Sequence, residues 1–140
     1  MKKTIAFIAG LSTLALAGCV SQDQADAKMA KGCAAGISTL IAPKEIKEVK
    51  SQNFSNEENA EGLHRRVTLD ILQKDGWVEM DKSYSCLFAQ EWGFFKMGHR
   101  ALVVQIKIDD TIYGKKDGEI LGGFQDFLKL TEVMDAAMAQ

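Results

Sequence analysis

The stretch Leu63-His64-Arg65-Arg66-Val67-Thr68-Leu69-Asp70-Ile71, followed by Lys74-Asp75-Gly76, decides the fold of this chain. Leu63, Val67, Leu69 and Ile71 alternate with His64, Arg66, Thr68 and Asp70, the period-two pattern of a half-buried strand. Lys74-Asp75-Gly76 supplies the turn chemistry of a hairpin. On its far side Val78, Met80, Tyr84, Cys86 and Phe88 share one parity across residues 77–90, which predicts the returning strand. Lys82 interrupts that apolar series and reads as a bulge or a twist at a sheet edge.

Upstream of the hairpin, residues 21–42 read as a helix. Ser21 and Gln24 fit a capping box, and Ala25, Met29, Cys33, Ile37 and Leu40-Ile41 recur at helical spacing. Gly32 and Gly36, four apart beside that stripe, allow close approach to a sheet, and Pro43 stops the helix. Residues 45–54 are expected to form an edge strand. The polar run 55–62 (Asn56, Glu57, Glu58, Asn59, Glu61) is expected to be a solvated loop or a short helical turn.

Downstream, Trp92-Gly93-Phe94-Phe95-Lys96-Met97-Gly98-His99 reads as a glycine-bounded aromatic connection. Residues 100–108 resume a strand with Leu102, Val104, Ile106 and Ile108 on one face, and Asp109-Asp110 marks a turn. A short hairpin follows, residues 111–113 and 119–121 flanking Lys116-Asp117-Gly118. After Gly122-Gly123, the residues Phe124, Phe127, Leu128, Thr131, Met134 and Met138 form a helical stripe to the end. Helix, strands, helix gives an α+β two-layer domain: an antiparallel meander of four or five strands with an N-terminal and a C-terminal helix.

The N-terminus addresses the compartment. Lys2 and Lys3 precede an apolar run of about 13 residues ending in small residues, the layout of a secretory signal over residues 1–18 and too short to span a bilayer. Leu16-Ala17-Gly18-Cys19 resembles the lipobox of bacterial lipoproteins. That resemblance implies a lipidated Cys19 as the first mature residue, and a single periplasmic domain over residues 19–140 held on the membrane through Cys19. The absence of aspartate after the cysteine (Val20) implies the periplasmic face of the outer membrane. The pieces Cys33-Ala34-Ala35 and Tyr84-Ser85-Cys86 are similar to those of several small uncharacterised secreted bacterial domains, a likeness that implies no activity.

With Cys19 lipidated, two cysteines remain, and an exported chain meets an oxidising compartment, so Cys33 and Cys86 are expected to form a disulfide. Both fall on apolar faces, one of a helix and one of a strand. The alternative is a redox-active or metal-binding pair. The bond would close a loop of about 54 residues, worth roughly 4 kcal/mol in the chain-entropy model.

Without residues 1–18 the chain has 15 basic and 19 acidic residues, a net charge of −4. This acidic balance argues against a nucleic-acid partner. Arg65-Arg66 and Lys115-Lys116 read as solvated surface. His64 and His99 are the only histidines, expected on an exposed strand face and in a loop respectively. No G-x-S-x-G elbow accompanies them. Asp109 to Glu119 fails the calcium-loop pattern, whose twelfth position here is Ile120. A zinc site at His64, His99 and Glu91 would require the fold to gather them. No catalytic residue, metal or cofactor is assigned.

The positive signal is aromatic. Consecutive Phe94 and Phe95 cannot both point inward on a regular strand, and Glu91, Lys96 and Arg100 flank them with charge. Trp92, Phe94, Phe95, His99 and Arg100 therefore form a candidate interaction surface, the other reading being that they cap the end of the sheet. The expected function is a membrane-anchored, non-catalytic binding or envelope-associated module with an envelope protein as a candidate partner. The alternatives are an anchored hydrolase or enzyme accessory subunit, or an exclusion or inhibitor lipoprotein of the plasmid or phage type.

Overall fold

Ser21 accepts a hydrogen bond from the Gln24 amide while the Gln24 side chain accepts one from the Ser21 amide, so the expected capping box is formed. It opens helix α1 (Gln22–Ile41). The computed structural model describes residues 19–59 and 62–140. The expected signal peptide, residues 1–18, and Ala60-Glu61 of the expected loop lie outside the described residues.

After α1 come β1 (Glu45–Asn59), β2 (Gly62–Asp75), β3 (Val78–Trp92), a short 3-10 turn (Phe94–Lys96), β4 (His99–Ile108), β5 (Thr111–Lys116), β6 (Glu119–Leu121) and helix α2 (Phe124–Met138). The strands form one antiparallel sheet in the order β1-β2-β3-β4-β5-β6. The α+β class and meander agree with the sequence reading. The strand count is six rather than four or five, because both short segments after Asp110 pair as members of the sheet.

The expected loop at 55–62 is instead strand as far as Asn59. Its polar side chains are paired across to β2. Arg65 donates to Asn56 at 2.9 Å, and Arg66 grips both Glu57 carboxylate oxygens through Nε and Nη2. These contacts also correct the reading of Arg65-Arg66 as merely solvated. Two register shifts along β1, with Lys47 and Lys50 on it, discourage pairing with another chain at this edge.

The β2–β3 hairpin holds one register from His64 opposite Ala89 to Asp75 opposite Val78, so no bulge occurs at Lys82. Its ammonium pairs instead with Asp109 at 3.4 Å. The turn is Gly76-Trp77, with Gly76 at φ +60°, a conformation glycine adopts without a Cβ penalty. The irregularity lies in β4, where Val104 is the extra residue between Phe88 opposite Val103 and Leu87 opposite Gln105. Inward parity therefore switches: Val103 and Ile106 are buried, whereas Leu102 is exposed and Val104 only half-buried.

The core is the α1 face (Ala25, Met29, Cys33, Ile37) laid on Val67, Leu69, Ile71, Cys86, Phe88 and Ile106 of the sheet. Cys33 and Cys86 are bonded at its centre, with Cα atoms 5.8 Å apart. Gly32 and Gly36 both give room to helix α2, and Gly36 also allows the expected close approach to the sheet. A β-carbon on either would lie 2.7 Å from a methionine of α2, Met138 at Gly32 and Met134 at Gly36. At Gly36 it would also lie 2.8 Å from Ile106 of β4. The buried side of α2 carries Phe127, Leu130, Met134 and Met138, while Phe124 and Leu128 are exposed, a rotation of the expected stripe toward α1.

The bond joins residues 53 apart. Replacing Cys33 and Cys86 together by alanine is expected to remove about 2–4 kcal/mol, read from urea unfolding of the oxidised protein and the variant. A loss below about 1 kcal/mol would show that the bond does little to constrain the unfolded chain.

Candidate functional site

The end of the sheet where β3 passes into β4 is closed by the aromatic segment. Trp92 and His99 face each other as the last pair of that hairpin, ring centroids 4.5 Å apart and tilted by 57°. Trp92 packs against the core with one side and receives the Lys96 ammonium 5.9 Å from its ring centroid on another. Below this pair the loop is clipped by its own backbone. The Gly93 amide donates to the Gly98 carbonyl at 2.9 Å, Lys96 to Gly93 at 3.0 Å and Met97 to Phe94 at 3.1 Å. Phe95 and Lys96 are left-handed at φ +54° and +57°, which costs a residue with a β-carbon about 1–2 kcal/mol.

That conformation turns the apolar side chains outward. Phe94 is 82% exposed, Phe95 75% and Met97 69%, and the two phenylalanine rings meet edge to face at 4.5 Å. The structure thus divides the expected surface. Phe94, Phe95 and Arg100 are exposed, while Trp92 and His99 are half-buried supports behind them.

Cys19 joins the same place. The Val20 amide donates to the Lys96 carbonyl at 3.0 Å, and Cys19 Sγ lies 3.5 Å from the Phe95 carbonyl oxygen. Cys19 is exposed and unbonded to another cysteine. Nothing local in the sequence joins the cysteine to the aromatic loop, because 76 positions separate the contacting residues. Met97, between Lys96 and Gly98, belongs to the exposed group without being among the expected surface residues.

His64 departs from its expected exposed position. It is buried, its Nδ1 3.0 Å from the Gly62 carbonyl. His99 opens β4 rather than lying in a loop, with Nε2 2.9 Å from Gln90 Oε1, which also accepts from Gln22 at 3.2 Å. Burial, then the charge of Lys28, hold the His99 imidazole below the ordinary histidine value, against a smaller opposing pull from Asp26. Asp135 lines the same shallow depression as His99, Lys28 and Arg100. Among the described residues, no group of three or more His, Cys, Asp or Glu side chains is placed to hold a metal ion.

Comparison with protein-family models, with curated proteins and with solved structures finds no match to this chain.

Two outcomes follow from the site's geometry. Phe94→Ala and Phe95→Ala are each expected to leave stability within about 1 kcal/mol of the parent. Trp92→Ala, which strips a side of the core, is expected to cost roughly 2 kcal/mol or more in the same denaturant series. Equal losses at all three positions would mean that the phenylalanines are core residues after all. For His99, the unfolded chain takes up its proton first as pH falls. The stability linked to this group is complete above about 6.5, the unfolded value, and is lost as pH drops from there to the folded value. An NMR titration should give a His99 midpoint below 6.5, and one at or above that value would refute the assignment.

Proposed function

We propose that this chain is a lipid-anchored periplasmic protein that acts by contact rather than catalysis. Cys19 is its acylation site and the loop around Phe94, Phe95 and Arg100 is its contact surface, with Trp92 and His99 as supports. The observation that carries this reading is the meeting of Cys19 and Val20 with the carbonyls of Phe95 and Lys96. A lipobox-like cysteine and the exposed side chains of Phe94, Phe95 and Met97 share one end of the molecule. Lipidation here is the transfer of a diacylglyceryl group from a membrane phospholipid: the Cys19 sulfur forms a thioether to the glycerol carbon, the glycerol C–O bond to phosphate breaks, and the phosphorylated headgroup leaves with the thiol proton. The thiol's own hydrogen bond is therefore lost while the Val20 clip stays.

The non-catalytic part of the reading is supported by what the histidines touch. The imidazole contacts described above are to a backbone carbonyl and to a glutamine amide. Among the described residues, neither has a hydrogen bond to a carboxylate of the kind that orients the base beside a nucleophile in a catalytic triad. The acidic net charge supports a partner other than nucleic acid.

Metabolic labelling with radioactive palmitate is expected to mark the parent protein and leave Cys19→Ala unmarked. After an alkaline carbonate wash, the parent should stay with the outer-membrane fraction of a density gradient and Cys19→Ala should appear in the supernatant. Labelling that survives Cys19→Ala would overturn the anchor.

A further inference from the structure

The partner of this contact surface is, we propose, the phospholipid bilayer itself. Phe94, Phe95 and Met97 enter the interfacial layer beside the acylated Cys19 and fix how the domain stands on the membrane. The inference rests on the reading of Cys19 as the anchor and deepens it by naming what the neighbouring loop touches.

Position is the first ground. A sulfur in thioether linkage to a glycerol backbone sits at the boundary between headgroups and acyl chains. The Phe95 carbonyl oxygen lies 3.5 Å from that sulfur, and the Val20 amide holds the neighbouring Lys96 carbonyl at 3.0 Å. Only Val20 and Ser21 intervene between Cys19 and α1, so no tether can carry the loop away from the lipid. A protein partner seated on Phe95 would have to occupy the volume that the acyl chains and headgroups fill.

Backbone chemistry is the second. Peptide groups entering an apolar layer must be satisfied internally. The carbonyls of Gly93, Phe94, Lys96 and Gly98 accept backbone N–H groups, three from within the loop and one from Val20, while the Phe95 carbonyl, which loses its thiol partner on lipidation, stays at the hydrated level of the headgroups. The left-handed backbone at Phe95 and Lys96 keeps both rings outward in the free protein, so they need no rearrangement to insert.

Composition is the third. The apolar tip is bordered by Lys96 and Arg100, long cations able to bury their stems while their charged heads stay at the level of lipid phosphates. Phenylalanine is among the apolar side chains that interfacial elements bury at the boundary of headgroups and acyl chains.

The test uses benzoylphenylalanine incorporated in the full chain at position 95, or at position 77 at the opposite end of β3, and irradiated in intact cells. Phospholipid adducts identified by mass are expected at 95 and absent at 77. A protein adduct at 95 in place of lipid overturns the proposal in favour of a protein partner. Palmitate labelling of the same samples separates the two levels: labelled protein without lipid adducts sinks the insertion alone, and unlabelled protein sinks the anchor.

A second measurement does not depend on acylation. Cys19→Ser is expected to partition onto vesicles of phosphatidylethanolamine and phosphatidylglycerol. Adding Phe94→Ser and Phe95→Ser should weaken partitioning by about a hundredfold or more, as burial of two such rings contributes. Equal partitioning of the two proteins, at any level, overturns the insertion.

Discussion

The disulfide between Cys33 and Cys86 is the contact from which the rest of this fold takes its position. It joins the middle of α1 to β3, and the apolar face of the helix is laid out on either side of it. Fixing one point of a helix on a sheet leaves its rotation and direction open. The apolar stripe from Ala25 to Ile41 sets the rotation, and Gly32 and Gly36 then present a notch on the flank that α2 fills with Met134 and Met138. The second helix is therefore positioned through the first.

Direction is set by a buried ion pair one turn into α1. Arg65 reaches across from β2 and donates to both Asp26 oxygens, at 3.0 Å from Nε and 2.6 Å from Nη2, while Gln22 donates to Asp26 at 2.7 Å. Removing two charges from water is costly, and a buried pair often contributes little net stability. Here the remaining hydrogen-bonding capacity is largely used, since Arg65 also donates to Asn56 and lies 5.8 Å from the centre of the Phe54 ring. What the pair contributes is placement: a helix slid by one turn would strand both charges. Because Asp26 is six residues from Val20, the same pair determines where the N-terminal segment emerges, beside the aromatic loop.

What the sequence revealed follows the range of the interactions involved. The capping box, the turn of the long hairpin and the glycine-bounded loop are local, and a short window contains their determinants, although the turn falls on Gly76-Trp77 rather than on Lys74-Asp75-Gly76. Both cysteines could be placed on apolar faces by periodicity alone. β1 beyond Phe54 was not legible, because a polar edge strand has no inward apolar period and is held by Arg65 and Arg66 of another strand. The bulge at Val104 was hidden for the same reason: a register shift is a property of two strands, and the alternation of one strand cannot show it. In the candidate site adjacency requires only that one of Phe94 and Phe95 face outward on a regular strand, whereas the left-handed loop exposes both. Their meeting with Cys19 required the whole tertiary structure.

The length of the β2–β3 hairpin gives the site a mechanical context. From Val78 to Trp92 a strand extends roughly 45 Å at about 3.3 Å per residue, and α1 lies along it from the Cys19 end for about 30 Å. The disulfide and the Asp26–Arg65 pair bind these elements together, so they move as one piece. Two residues between Cys19 and the helix reach only about 7 Å. With the loop seated in the proposed way, attachment through both Cys19 and the phenylalanines replaces a swivel with a fixed footing. Trp77, fully exposed at the hairpin turn, then stands at the end of the molecule farthest from the lipid. A loop that touches the membrane in this way sets the height and direction at which the remaining surface is presented, which an acyl chain alone does not.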